Sequence, residues 1–368
     1  MGIPLDYRSL GRKKLEGLLS GLKQGHRLRG LERLFGLLGS TWKGHPVGGA
    51  PAWPSAVSFD GTPFELSVAF GSAEPTISVR AEARLAPFDL ASNWKTGLAL
   101  TQALGELRGV SLERFERVAE LFVPSADSPS RMAVWHAGTL GPGGAFSFEV
   151  FFDARSRGTE LAPVLVSEAL EELGIDYACD ELVPKLTPES ELFALSLELS
   201  ERSDARVTVH VAHRHATAAD VDMVVRDSSG YAPRLAQSWI EELTDSAGPL
   251  DAEPVITRHA FRSVLHAAEV TVEVPTAAYA TSDAESLGRA HYVLGARAHQ
   301  IARGVAAMAE RPLDRRAGVL RAVSLTPLAD GTRVALELAT EAHSISTSRR
   351  SHVAELFPGK HGVVTGAA

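Results

Sequence analysis

The chain has 368 residues, 45% of them apolar, enough to fill a sizeable core in one large domain or two ordinary ones. A formal net charge of −8 argues against a general nucleic-acid binder, which needs clustered Lys and Arg to neutralise phosphates. The lone cysteine, Cys179, excludes an intrachain disulfide; with no apolar run of about 18 residues and no signal-like amino terminus, the sequence reads as a soluble, cytoplasmic protein with no membrane partner.

Leucines at helical spacing predict one or two amphipathic helices from Ser9 to Leu38, broken near Gly25 and Gly30. The basic residues among them, Arg8 to Arg33, read as a solvated face rather than a membrane-surface helix. A Gly/Pro-rich link from Gly44 to Pro54 precedes predicted strands at Ala56–Phe59, Phe64–Phe70 and Thr76–Leu85, with a turn at Asp60–Pro63. Helices are expected over Trp94–Leu107 and Leu112–Leu121. Strands Arg131–Ala137 and Ala145–Asp153 then flank a glycine-rich turn, and Phe148–Phe152 leads through a turn into a helix over 159–173. Within that strand Glu149 and Phe151 share a face, because side chains alternate with period two. Further strand pairs are predicted at Glu191–Leu199 with Ala205–Ala212, Phe261–Ala267 with Glu269–Pro275, and Leu320–Pro327 with Thr332–Ala339. The intervening helices are Ala218–Val225, Ala232–Leu243 and Ser282–Met308.

Five hairpins alternating with helices exclude a doubly wound parallel sheet and suggest about ten antiparallel strands closed into a barrel, which leaves no edge and encloses a lumen. The expected class is α+β, in one domain spanning 1–368, with residues 1–50 as a helical segment packed outside the barrel. His210 and His213 fall on opposite strand faces, so the run from His210 to His215 is not read as a metal site.

Several stretches together resemble the aromatic prenyltransferases of the dimethylallyltryptophan synthase type, whose αββα repeats close an antiparallel ABBA barrel. They are Asp60–Ser67, Phe148–Gly158 followed by Glu160-Leu161-Ala162, Ala205–Val211, Val274–Tyr279 with Asp283, and Arg333–His343. The resemblance implies an indole-like or other aromatic substrate, an allylic diphosphate donor, a place in natural-product biosynthesis, and no required metal or cofactor. It gives Glu65 the role of accepting the indole N–H and helping remove the ring proton, and it places Arg80 and Arg206 at diphosphate oxygens, which suit guanidinium forks.

The pattern then departs. The family has Lys and Tyr where this chain has Glu149 and Phe151, and again where it has Thr208 and His210; Glu273 and Glu337 stand at further basic or aromatic lumen positions. Exchanging a lysine for Glu149 turns attraction into repulsion, worth about 4 kcal/mol for unit charges about 4 Å apart at a dielectric near 20. Alternation puts Glu149, Glu273 and Glu337 on the inward face, where crowding and desolvation are expected to raise at least one carboxyl pKa. His210 is expected to be the near-neutral titrating group beside them. The leading reading is an enzyme repurposed for acid–base cyclisation, rearrangement or transfer, with Glu65, His210, Glu149 and Glu337 catalytic and Arg80, Arg206, Phe151, Thr208 and Glu273 binding substrate. The alternatives are prenyl transfer with an unusual diphosphate site, built from Arg80, Arg206 and either Arg131 or Arg321, and a ligand-binding barrel without catalysis. The sequence leaves the oligomeric state open.

Overall fold

β-Branched and aromatic residues alternate with small or polar ones along each strand, so that one face is covered by helices and the other looks into a lumen. The computed structural model describes residues 6–343 apart from 43–44, 49–50, 52, 59, 72–73, 129 and 263–267. Among these, the strands are β1 (Phe64–Phe70), β2 (Thr76–Glu82), β3 (Val134–Leu140), β4 (Phe146–Asp153), β5 (Ser190–Glu198), β6 (Val207–His213), β7 (Val255–Phe261), β8 (Glu269–Val274), β9 (Leu320–Leu328) and β10 (Gly331–Leu338). Each pairs antiparallel with the next, and β10 pairs with β1, closing the ten-stranded barrel that the sequence pattern implies.

The main apolar core lies outside this barrel. Outward residues such as Val68, Val79, Val150, Leu195, Val209 and Val272 are buried beneath the helices. Helices Tyr7–Gly21 and Leu28–Leu38 belong to this layer: Gly138 of β3 admits Leu34 and Leu38, and a Cβ on Gly17 would lie 2.4 Å from the Ala307 carbonyl oxygen of helix Ala298–Met308. A smaller apolar cluster, including Met132, Trp135, Phe151, Phe193, Ala212 and Ile256, floors the barrel at the end away from the hairpin turns. The polar lumen therefore sits between an apolar floor and a turn-lined mouth.

Several local expectations are corrected. Residues 56–58 form bends and Phe59 lies outside the described residues, so Asp60–Pro63 does not join a hairpin; the Asp60 carboxylate instead accepts from the Thr62 and Ala342 backbone N–H groups. Gly30 lies inside helix Leu28–Leu38, and the long helix expected over Ser282–Met308 is two, Asp283–Leu294 and Ala298–Met308, broken at Gly295 with its positive φ. The largest error is in the fourth hairpin. Its first strand is Val255–Phe261, earlier than expected, and residues 263–267, assigned to that strand from the sequence, lie outside the described residues. Short helices at Tyr177–Leu182 and Thr276–Tyr279 were not anticipated.

Two of the motifs singled out by resemblance hold the scaffold. The buried Asp283 carboxylate accepts from the backbone N–H groups of Gly318, Val319 and Leu320 at 2.9–3.0 Å, and from Arg311, pinning the start of β9 to a helix. At the end of β4, Asp153 takes both Nε and Nη2 of the buried Arg155 at 2.9 and 2.8 Å, and the hydroxyl of Ser130. A buried charge needs such full pairing.

Two β-bulges decide what enters the lumen. Phe193 is the extra residue between Leu192 and Ala194 on β5, and Arg321 is the extra residue between Leu320 and Ala322 on β9. Strict alternation from Ser324 and Thr326 would turn Arg321 outward; the bulge turns it inward.

Candidate active site in the barrel lumen

The lumen holds a cavity of about 280 Å³ lined by residues from all strands but β5 and by Arg206 just before β6. Glu65, Arg80, Glu149, Phe151, Arg206, Thr208, His210 and Glu337 all line it, as alternation predicts. Glu273 does not: it is buried behind Arg321. Arg131, offered from the sequence as a diphosphate ligand, is not among the lining residues.

The lower part of the lumen is a continuous ion-pair network. Arg321 donates through Nε to Glu65 at 2.6 Å and through Nη2 to Glu273 at 2.8 Å, so one guanidinium serves two buried carboxylates. Arg80 reaches the second Glu65 oxygen at 3.4 Å, and its guanidinium lies 5.5 Å from the Phe151 ring centre. Arg258 on β7 closes the chain, 3.5 Å from Glu273 and 3.6 Å from Glu337, and donates to Ser324 at 2.6 Å. Arg258 is the main residue that sequence reasoning missed. Its signal was the β-branched run Val255-Ile256-Thr257, which places the strand early enough to aim residue 258 inward.

Sharing Arg321 pulls the two carboxyls apart. Burial raises Glu65 to about 7 even though Arg321 and Arg80 oppose it. Burial also acts on Glu273, but Arg321, Arg258 and Arg80 together outweigh it and hold this group near 2. Glu65 is thus the member that can gain and lose a proton near neutrality, and its Oε2, bonded only at 3.3 and 3.4 Å, is the less tightly held oxygen. Deeper still, the fully buried Glu82 is also raised to about 7 by desolvation, against Arg84 and its neighbours Ser55, Trp135 and Trp53.

On the other wall, Ser196 links Glu149 and His210. Its hydroxyl donates to Glu149 Oε1 at 2.6 Å, so it must accept from His210 Nε2–H at 2.9 Å, which sets the imidazole tautomer. The His210 ring sits 5.5 Å from Phe151 and 5.7 Å from Phe193. Burial, with Arg258 and Arg80 nearby, pushes its pKa well below the ordinary histidine value. The expectation of near-neutral titration is therefore corrected: His210 is a neutral hydrogen-bonding group, and Glu65 takes the titrating position. His213, on the opposite face, bonds Ser190 and Thr257 outside the lumen.

Toward the mouth, exposure rises from 1% at Glu65 to 40% at Arg206. Arg206 lies 3.5 Å from Glu198 and 3.9 Å from Glu269, and Arg333 pairs with the same Glu269. Glu149 makes no ion pair within 4.0 Å among the described residues. No group of three or more His, Cys, Asp or Glu placed to hold a metal occurs among the described residues, and none of their helices is long and apolar enough to cross a membrane.

No family model matches the sequence. Solved structures do. A 6-dimethylallyltryptophan synthase from Micromonospora olivasterospora, in complex with DMASPP and Trp, is 26% identical with a TM-score of 0.85, covering 93% of this chain and 99% of that one. A 5-dimethylallyltryptophan synthase from Streptomyces coelicolor, also with DMASPP and Trp, is 26% identical with a TM-score of 0.82 over 92% and 96%. AnaPT from Neosartorya fischeri, at 16% identity and a TM-score of 0.71 over 89% and 91%, shares the fold. The order of hairpins, the closed barrel and these likenesses agree: the chain is a structural relative of the ABBA-fold aromatic prenyltransferases of the dimethylallyltryptophan synthase type.

Proposed function

We propose that this prenyltransferase-like barrel is an enzyme that binds a small aromatic, indole-like molecule in its lumen and transfers protons to and from it at Glu65, without an allylic diphosphate. One observation carries the reading: each of the guanidiniums of Arg80, Arg206, Arg258, Arg321 and Arg333 already faces at least one carboxyl group among Glu65, Glu198, Glu269, Glu273 and Glu337, and Glu149 adds a further carboxylate to the cavity wall. A diphosphate would have to break these pairs and would meet Glu149 besides. The cavity, at about 280 Å³, also lies at the small end of ligand sites, which run from about 300 to 1,000 Å³, and suits one small ligand better than two. Glu65, raised to about 7, has the proton affinity that general acid–base work at neutral pH requires. The second reading, prenyl transfer with Glu65 as base, draws on the relatives solved with DMASPP and Trp.

Calorimetric titration with dimethylallyl diphosphate, alone and with indole present, separates the two. Indole is expected to bind and the diphosphate to give no heat at millimolar concentration; micromolar diphosphate binding would restore prenyl transfer as the better reading. The proton chemistry has its own readout. In D2O, protonation of an indole ring carbon by Glu65 and return of the original proton to the same carboxylate exchange hydrogen for deuterium with no other change. NMR should show protein-accelerated exchange, slowed about 10²- to 10⁴-fold in Glu65→Gln. Full exchange activity in that variant would remove Glu65 from the mechanism.

A further inference from the structure

The two halves of the lumen pair their charges differently. In the lower half three guanidiniums, Arg80, Arg258 and Arg321, face three carboxylates, Glu65, Glu273 and Glu337. Toward the mouth Arg206 and Arg333 face Glu149, Glu198 and Glu269, and the charges of all three carboxylates act on Arg206. Arg114 and Arg202 also act on Glu198, and of the three carboxylates contact geometry singles out Glu149. Glu198 and Glu269 have arginine nitrogens within 4.0 Å, whereas among the described residues Glu149 is held by the Ser196 hydroxyl, on Oε1, and by no arginine within that distance.

Ser196 and the neutral His210 hold Glu149 in one orientation without neutralising it. The carboxylate lines the cavity beside Phe151, and Thr208 and His210 complete the same wall. A carboxylate kept in a narrow cavity, oriented but unpaired, is a receptor for a hydrogen-bonding cation. A metal ion would need further ligands, and no suitable group of three exists among the described residues.

We propose that the substrate is a small aromatic amine bound in its protonated form, with its ammonium on Glu149 and its ring packed against Phe151 and His210. This rests on the aromatic-substrate reading above and adds the charge of the substrate. An ammonium meets a carboxylate that no described guanidinium contacts, whereas a carboxylate or phosphate ester placed there would meet Glu149 as a like charge. Glu149, on β4, then sets specificity while Glu65, on β1, handles the proton.

The test is a calorimetric series on the full chain at pH 7 with three probes of one ring system: tryptamine, indole and indole-3-propionate. Tryptamine is expected to bind at least 10-fold more tightly than indole, the size of a charge-assisted hydrogen bond, and indole-3-propionate more weakly than indole. In Glu149→Gln, which keeps the shape and loses the charge, the tryptamine-to-indole ratio should fall at least 10-fold. The wild-type series stands alone if that variant folds poorly. Equal binding of indole and tryptamine would overturn the amine proposal and leave the aromatic reading intact. Binding of none of the three would overturn both.

Discussion

Unfolding free energy measured by urea titration across pH 8 to 4 should pass through a maximum near pH 6.5 and then fall by about 3 kcal/mol per pH unit. Four buried histidines drive the fall. Desolvation lowers His136 to about 3, His213 to about 4 and His259 to about 3, and His210 lies well below its ordinary 6.5. Each is neutral in the folded barrel, so the unfolded chain gains protons that the folded chain refuses as pH drops below 6.5. Their stabilisation is complete above that value and is lost on acidification. Glu65 and Glu82 act in the opposite sense: raised to about 7, they are protonated in the fold and ionised in the unfolded chain down to their ordinary 4.5. Between 6.5 and 4.5 the unfolded state therefore binds about two more protons than the fold, which sets the slope. Below 4.5 the carboxyl offset ends, and Glu273, held near 2, steepens the decline. Stability that kept rising from pH 6.5 to 5 would contradict the burial of these histidines as neutral groups.

Arg321→Ala should be the most damaging single change in the lumen. It leaves Glu65 and Glu273 without the guanidinium they share at 2.6 and 2.8 Å, and removing one partner of a buried pair typically costs about 3–5 kcal/mol. The deficit should be smaller at pH 5.5 than at pH 8, because a protonated Glu65 no longer needs a counter-charge. Arg321→Lys is expected to recover only part of the loss, since an ammonium lacks the planar fork that reaches both carboxylates. Denaturation midpoints of the three proteins at both pH values test this, and equal deficits at pH 5.5 and 8 would show that Glu65 does not titrate in the fold.

Much of the lumen was legible because its rules are local. Period-two alternation placed Glu65, Arg80, Glu149, Phe151, Thr208, His210 and Glu337 on one face of their strands, and each lines the cavity. Alternation also separated His210 from His213. What it could not supply was the fourth hairpin. No tight-turn motif follows Phe261 in the sequence, so the pattern favours a later strand and hides Arg258. Ser196 is hidden for a different reason: a serine in a strand carries no signal until its neighbours across the sheet prove to be Glu149 and His210.

The sequence by itself determined the antiparallel hairpin repeat, the closed barrel and the inward face of most strands, because hydrophobic periodicity and turn chemistry act over a few residues. Only the tertiary structure decided which charges meet. The bulge that turns Arg321 inward, the pairing of the lumen guanidiniums and the burial that raises Glu65 while silencing His210 depend on register and desolvation across strands far apart in the chain, and no spacing along the chain encodes those quantities.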